Sequence, residues 1–154
     1  MPHEYVYFLP TPPGVRQETG RLRLVSSADP AADAEISLTV PGGRAWRILS
    51  LTAELVADSN AATRSVALQI SIEGTMIAEI GAAGDQTANE VMQYTWGIGL
   101  STRDQGAVTQ NMGMLDIPFF MPGMVLATAT TNRQSTDNWG RARLLVIEYE
   151  FKQP

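Results

Sequence analysis

The residues that could do chemistry in this chain are few, and their spacing does not assemble a reaction. The single histidine, His3, sits close to the start of the sequence. A Ser-His-Asp triad needs an imidazole held rigidly by packing, which that position does not offer. There is no cysteine, so disulfides, thiol nucleophiles and thiolate metal sites are excluded together. One histidine also cannot supply the several imidazoles that a cupin-type metal centre needs. Asp29 with Asp33, followed by Asp58, is the nearest carboxylate cluster that calcium would use. No ligand loop of recognisable spacing surrounds it, and these aspartates read as turn residues. Glycoside hydrolysis needs two carboxylates facing each other across a cleft, whereas Glu54 and Glu73 fall on outward strand faces. Gly42-Gly43 precedes no Lys-Ser or Lys-Thr and no helix, so no phosphate loop is present. The reading is a protein that is not an enzyme and carries no cofactor and no metal.

Two further groups bear on binding. Exposed tryptophan stacks on sugars or bases, but Trp46, Trp96 and Trp139 are expected mainly in core or sheet-edge packing. Trp139, which follows the polar loop Thr131 to Asn138, is the best candidate for exposure. Methionine is a soft gap-filler. Met121 and Met124, beside Phe119 and Phe120, either cap the core or form a sticky contact.

The composition narrows the partners. The formal net charge is -5 and charged residues are only 18% of the chain, against about a quarter in typical domains. An acidic chain repels phosphate at long range, so nucleic acid is not its main partner. Low charge fits a surface committed to contacts. The basic residues are arginines apart from Lys152. Guanidinium is weakly hydrated and pairs in a fork, which favours interfaces. Arg21 with Arg23, and Arg141 with Arg143, are spaced to point to one face of a strand. No stretch of eighteen apolar residues exists, so no helical membrane span is expected. No basic region followed by an apolar core opens the chain, so a secretory leader is not expected.

The elements that must position these residues are strands. Period-two alternation runs through Arg21 to Val25 and through Glu35 to Val40, where Ile36, Leu38 and Val40 point inward. Pro41-Gly42-Gly43 then breaks the chain. From Ala45 to Val56, Leu49, Leu51, Ala53 and Leu55 share one face. From Ser65 to Glu73, Val66, Leu68, Ile70 and Ile72 point in. The turn cluster Asp58-Ser59-Asn60 between those two runs predicts a hairpin. Further strands are expected over Met76 to Ile80, Val91 to Leu100, Val108 to Ile117, Val125 to Thr130 and Arg141 to Phe151. The last places Leu145, Ile147, Tyr149 and Phe151 on one face. About eight half-buried strands, with no convincing helical periodicity, predict an all-β fold: a single-domain antiparallel β-sandwich of jelly-roll type.

The first twenty residues read differently. Met1 to Gly20 contains Pro2, Pro10, Pro12 and Pro13 and the uncharged run Tyr5-Val6-Tyr7-Phe8-Leu9. It is expected to be an extended arm on a domain spanning 21–154. Twenty extended residues reach up to roughly 65 Å, enough to cross a subunit boundary. The arm's backbone can add to a neighbour's sheet edge while Tyr5, Tyr7 and Phe8 fill pockets. The partner-binding candidates are therefore Tyr5, Val6, Tyr7, Phe8, Leu9 and Pro10.

The C-terminal third carries a resemblance. Ile117-Pro118-Phe119-Phe120-Met121-Pro122-Gly123, Thr130-Thr131-Asn132-Arg133-Gln134, Asp137-Asn138-Trp139 and Leu144-Leu145-Val146-Ile147-Glu148-Tyr149 resemble a pattern in small structural proteins of tailed-bacteriophage virions. The resemblance covers about the last forty residues and includes no catalytic motif. It implies a capsid decoration or cement protein on the virion surface, assembled in the host cytoplasm. Its implied partners are the major capsid protein or other virion subunits and further copies of itself, with a homotrimer favoured. A neck, tail or head-fibre component is the alternative within the group. A carbohydrate-binding module using Trp139 or Trp96 is the alternative outside it.

Overall fold

The computed structural model describes residues 20–104 and 108–150. The arm residues Tyr5, Val6, Tyr7, Phe8, Leu9 and Pro10, together with His3 and Phe151, lie outside the described residues. The described chain is all β, with eleven strands and no helix. They are β1 (Arg21–Ser26), β2 (Ser37–Thr39), β3 (Arg44–Val56), β4 (Val66–Ile72), β5 (Thr75–Gly81), β6 (Val91–Gly97), β7 (Arg103–Asp104), β8 (Thr109–Gly113), β9 (Val125–Thr130), β10 (Asn138–Trp139) and β11 (Arg143–Glu150).

Two sheets pack face to face. The larger runs β1-β11-β3-β6-β8-β7, with β10 pairing β3 from outside that path, and the smaller runs β2-β9-β4-β5. The chain passes between the sheets at six connections: β1 to β2, β2 to β3, β3 to β4, β5 to β6, β8 to β9 and β9 to β10. Four strands of the larger sheet, β1-β11-β3-β6, thus face β2-β9-β4-β5 in the winding of a jelly roll. The short β7, β8 and β10 are additions to it. One pair departs from the expected antiparallel sheet: β8 runs parallel to β6, from Gln93 opposite Thr109 to Gly97 opposite Gly113.

The hairpin expected between the runs at 45–56 and 65–73 does not form. β3 pairs β11 and β6, whereas β4 pairs β5 and β9. The turn at Asp58-Ser59-Asn60 instead carries the chain from one sheet to the other. The true hairpin joins β4 to β5 through Glu73 and Gly74, with φ of 49° and 78°. Left-handed backbone at both central positions matches the twist of the flanking strands, which is why glycine serves there.

The core lies between the sheets. Ile36, Leu38 and Val40 point inward as their alternation predicts, and so do Val66, Leu68 and Ile70. They meet Leu51, Leu55, Tyr94, Trp96, Phe120, Leu126, Leu144 and Val146. Burying one such side chain contributes about 1.5–3 kcal/mol. Ile72 is the exception in its run: it sits next to the hairpin turn, past the edge of the core, and is exposed.

One bulge changes the expected faces. Leu145 pairs Ser50 and Val146 pairs Ile48, leaving Leu49 as an extra residue in β3. Trp46 and Ile48 point to the core before the bulge, and Leu51, Ala53 and Leu55 after it. Leu49 therefore does not share their face. It packs on the outer side of the larger sheet with Ala45, Phe119, Ile147 and Tyr149. The predicted face of the last strand, Leu145, Ile147 and Tyr149, is this outer one, while Leu144 and Val146 enter the main core.

Candidate assembly surfaces

Charge chemistry at one end of the sandwich turns out to be structural. Arg64, between β3 and β4, is wholly buried. Its Nε donates to Asp137 Oδ2 at 2.8 Å and its Nη2 to Asp137 Oδ1 at 2.8 Å. Nη2 also reaches Asp58 Oδ1 at 2.6 Å, and Nη1 donates to the Ala62 carbonyl at 2.8 Å. Asp137 further accepts the backbone N–H of Asp58 at 2.8 Å and of Gln134 at 2.7 Å. Burial pushes the Asp137 carboxyl up, but Arg64 and these two N–H donors outweigh it and hold the group below the ordinary carboxylate range. Thr136 and Asn60 do the same for Asp58, against desolvation. Asp137 in turn raises the Arg64 guanidinium further. Nearby, the Tyr94 hydroxyl donates to Gln86 Oε1 at 3.0 Å, and the Gln86 amide donates to the carbonyls of Leu55 and Glu90. Desolvation by burial pushes the Tyr94 phenol well above its ordinary value. With so many lone pairs and donors engaged internally, this clasp ties loop to loop and presents no reacting atom to a substrate.

The carboxylates considered from sequence do not converge. Asp33 meets Arg133 Nε at 2.8 Å, Asp58 belongs to the Arg64 clasp, and Asp29 faces Arg141 at 3.9 Å. Among the described residues no three His, Cys, Asp or Glu side chains are grouped to hold a metal ion. Glu54 and Glu73 stand on different sheets, Glu54 on β3 and Glu73 at the tip of the β4–β5 hairpin. Sequence reasoning missed Glu35, which accepts the backbone N–H of Thr130 at 2.8 Å and Arg133 Nη1 at 2.6 Å. It also missed Arg64, whose acidic partner Asp137 is remote in sequence.

The tryptophans are core residues. Trp139, expected at the surface, is fully buried, because β10 lays it against Leu55 on β3. Its Nε1 donates to Thr130 Oγ1 at 3.2 Å. Trp96 is also fully buried and stacks on Tyr94 with centroids 5.8 Å apart. Neither can serve as a sugar-stacking platform. Met124 and Phe120 are buried and Met121 packs on the core beside them, so this group caps the interior. Phe119 turns outward and meets Tyr149 edge-on at 5.2 Å. A cleft of about 420 Å³ on the larger sheet is lined by polar Thr52, Glu54, Gln93, Arg141 and Arg143, with no aromatic ring.

Exposed large apolar side chains occur at two sheet edges, and also at Val56, Val91, Leu100, Val108 and Leu115. β1 ends the larger sheet, and Leu22 and Leu24 on it are 59% and 69% exposed. Between them Arg23 holds Glu148 at 2.7 Å. Burial raises the Glu148 carboxyl, but Arg23 and the Trp46 indole N–H bring it below its ordinary value. Just before β1, a Cβ on Gly20 would collide with Ile147 Cγ2 and the Tyr149 ring, so the backbone there runs close over the outer apolar cluster. β5 ends the smaller sheet, and Met76 and Ile77 are 55% and 50% exposed beside Ile72. The Trp96 indole donates to the Ile80 carbonyl at 3.2 Å, and the Gly84 N–H to Gln110 Oε1 at 2.9 Å. These bonds place the end of β5 over β6 and β8, on the side of the sandwich away from β1.

No family model matches the sequence, and no curated protein matches it. Among solved structures, that of PfGH50B superposes with a TM-score of 0.32 and 11% identity, over 86% of this chain and 23% of that one. The chain thus spans about a quarter of that protein's length, and a likeness this slight carries no argument about activity.

Proposed function

We propose that this chain is a structural assembly protein: a decoration or cement protein that bridges neighbouring capsid subunits of a tailed-phage head. The observation that supports the reading is that two edge strands keep large apolar side chains in water. Leu22 and Leu24 on β1, and Ile72, Met76 and Ile77 around the β4–β5 hairpin, lie along two sheet edges. Edge strands that expose large apolar side chains are templates for pairing with another chain. The internal use of Arg64, Asp58, Asp137 and Asp33 points the same way, away from chemistry and toward surface. The jelly-roll winding is shared by viral capsid and lectin domains, so it fits the reading without selecting it. The position on a capsid comes from the resemblance of residues 117–149. In this reading Tyr5 to Pro10 anchor the protein to the major capsid protein, and several weak contacts made together give tight binding.

The test is binding to purified empty shells. The whole protein should saturate the shell at a copy number set by its lattice, and removal of residues 1–20 should leave a folded domain that no longer binds. Equal binding by the truncated chain would remove the arm as anchor. Imaging that found the protein at one vertex of the particle would move it to the neck or tail.

A further inference from the structure

The two apolar edges differ in charge. Residues 20–28, which form β1 and its flanks, hold Arg21 and Arg23 and no acid, and of the two Arg23 is already paired with Glu148 on β11. Residues 65–81, which form β4, the turn and β5, hold Glu73 and Glu79 and no base. Each edge is a run of similar length, six residues in β1 and seven in β5. Each carries exposed large apolar side chains, and they sit on opposite sides of the sandwich.

We propose that the β1 edge of one copy docks against the β5 edge of the next copy of this chain. The contact is head to tail, and its repetition gives a ring of identical subunits where the rotation between copies closes. Pairing two β1 edges would set arginines against arginines, and pairing two β5 edges would set glutamates against glutamates. Like charges opposite each other across strands destabilise a pair, and opposite charges support it. Leu22 and Leu24 then leave water against Met76 and Ile77, and edge backbone groups that have no partner among the described residues gain one. This deepens the assembly reading by naming the surfaces through which copies meet, and it does not depend on what else the arm binds.

Sedimentation velocity on the full chain tests it with two variants, Leu24→Asp and Met76→Asp. Both positions are exposed, so both variants should keep the wild-type melting profile. Leu22→Glu and Ile77→Lys, each opposite in sign to its own edge, replace them if either unfolds. The wild type should sediment as a closed oligomer, and each variant alone should lose at least about tenfold in self-affinity. An equimolar mixture of the two variants should recover a two-copy species, because each retains the edge the other lacks. A wild type that stays single-copy at its highest soluble concentration overturns the proposal. So does a Met76→Asp protein that assembles normally, which would mean a symmetric contact through β1, and so does a mixture that stays single-copy. Shell binding is scored separately: an oligomer that ignores capsids keeps this inference and removes the capsid role, and a single-copy protein that binds shells does the reverse.

Discussion

The Arg64 clasp and the β1 and β5 edges break the usual sorting of side chains in opposite directions. At the clasp, three charged groups are placed where water is absent: Arg64 and Asp137 are wholly buried and Asp58 nearly so. At the edges, leucine, isoleucine and methionine are left in water. A buried charge is tolerated only when its partners are complete, and here they are nearly all supplied by the two loops at 57–65 and 131–138. The clasp is thus fully used by the fold itself. The exposed edge side chains stay largely in water while their backbones hold the ladders, and shortening them should cost the fold little. The contrast separates residues that hold this molecule together from residues available to hold molecules to each other.

The sharpest break of that contrast is at Arg64. Arg64→Met should strand the Asp137 carboxylate in the interior and destabilise the domain by about 3–5 kcal/mol, read from chemical denaturation. Adding Asp137→Asn to it should recover at least half of the loss, since the neutral amide removes the stranded charge while its oxygen still accepts from a backbone N–H of Asp58 or Gln134. If the double variant is no better than the single, the clasp matters for its loop geometry and not for its charge balance.

Acid should act on the same place. Asp58 and Asp137 have carboxyls held below the ordinary range in the folded protein. In the unfolded chain they titrate near about 4. Their contribution is therefore fully present above about pH 5 and drains away as the pH falls through 4 toward their lower folded values. Glu148, depressed by Arg23 and Trp46 against its burial, adds a term of the same sign. Stability measured between pH 6 and 3 should fall with acid in the wild type and fall less steeply in Arg64→Met, where Asp137 has lost the partner that depressed it. Parallel curves for the two proteins would remove Arg64 as the cause.

Much of this fold is legible in the alternation of side chains. Ile36, Leu38 and Val40, and Val66, Leu68 and Ile70, read as half-buried strands because each inward residue is apolar and each outward one is small or polar. The run Ala45-Trp46-Arg47-Ile48-Leu49-Ser50-Leu51 is harder: two adjacent apolar residues at Ile48 and Leu49 hide the bulge at which the inward face changes parity. Nothing local distinguishes the turn Asp58-Ser59-Asn60, which crosses between sheets, from a hairpin turn. The difference is made by Arg64 and the remote Asp137. Trp139 follows a polar loop and so reads as exposed, yet a two-residue strand against β3 carries it inside. The edges were half visible. Arg21 and Arg23 mark a strand with a solvated face, but the exposure of Ile72 shows only once the hairpin turn is seen to lie past the core.

The gentlest prediction sharpens the contrast from the other side. Leu24→Asp and Met76→Asp change side chains that already face solvent, so each should shift unfolding free energy by no more than about 0.5 kcal/mol. For stability measured at concentrations too low for copies to associate, both should overlay the wild type. At high concentration only the wild type should gain apparent stability with protein concentration, because association favours the folded state by mass action. A variant losing several kcal/mol even when dilute would show that the edge already serves its own fold, and the division between inward and outward duties would fail at that strand.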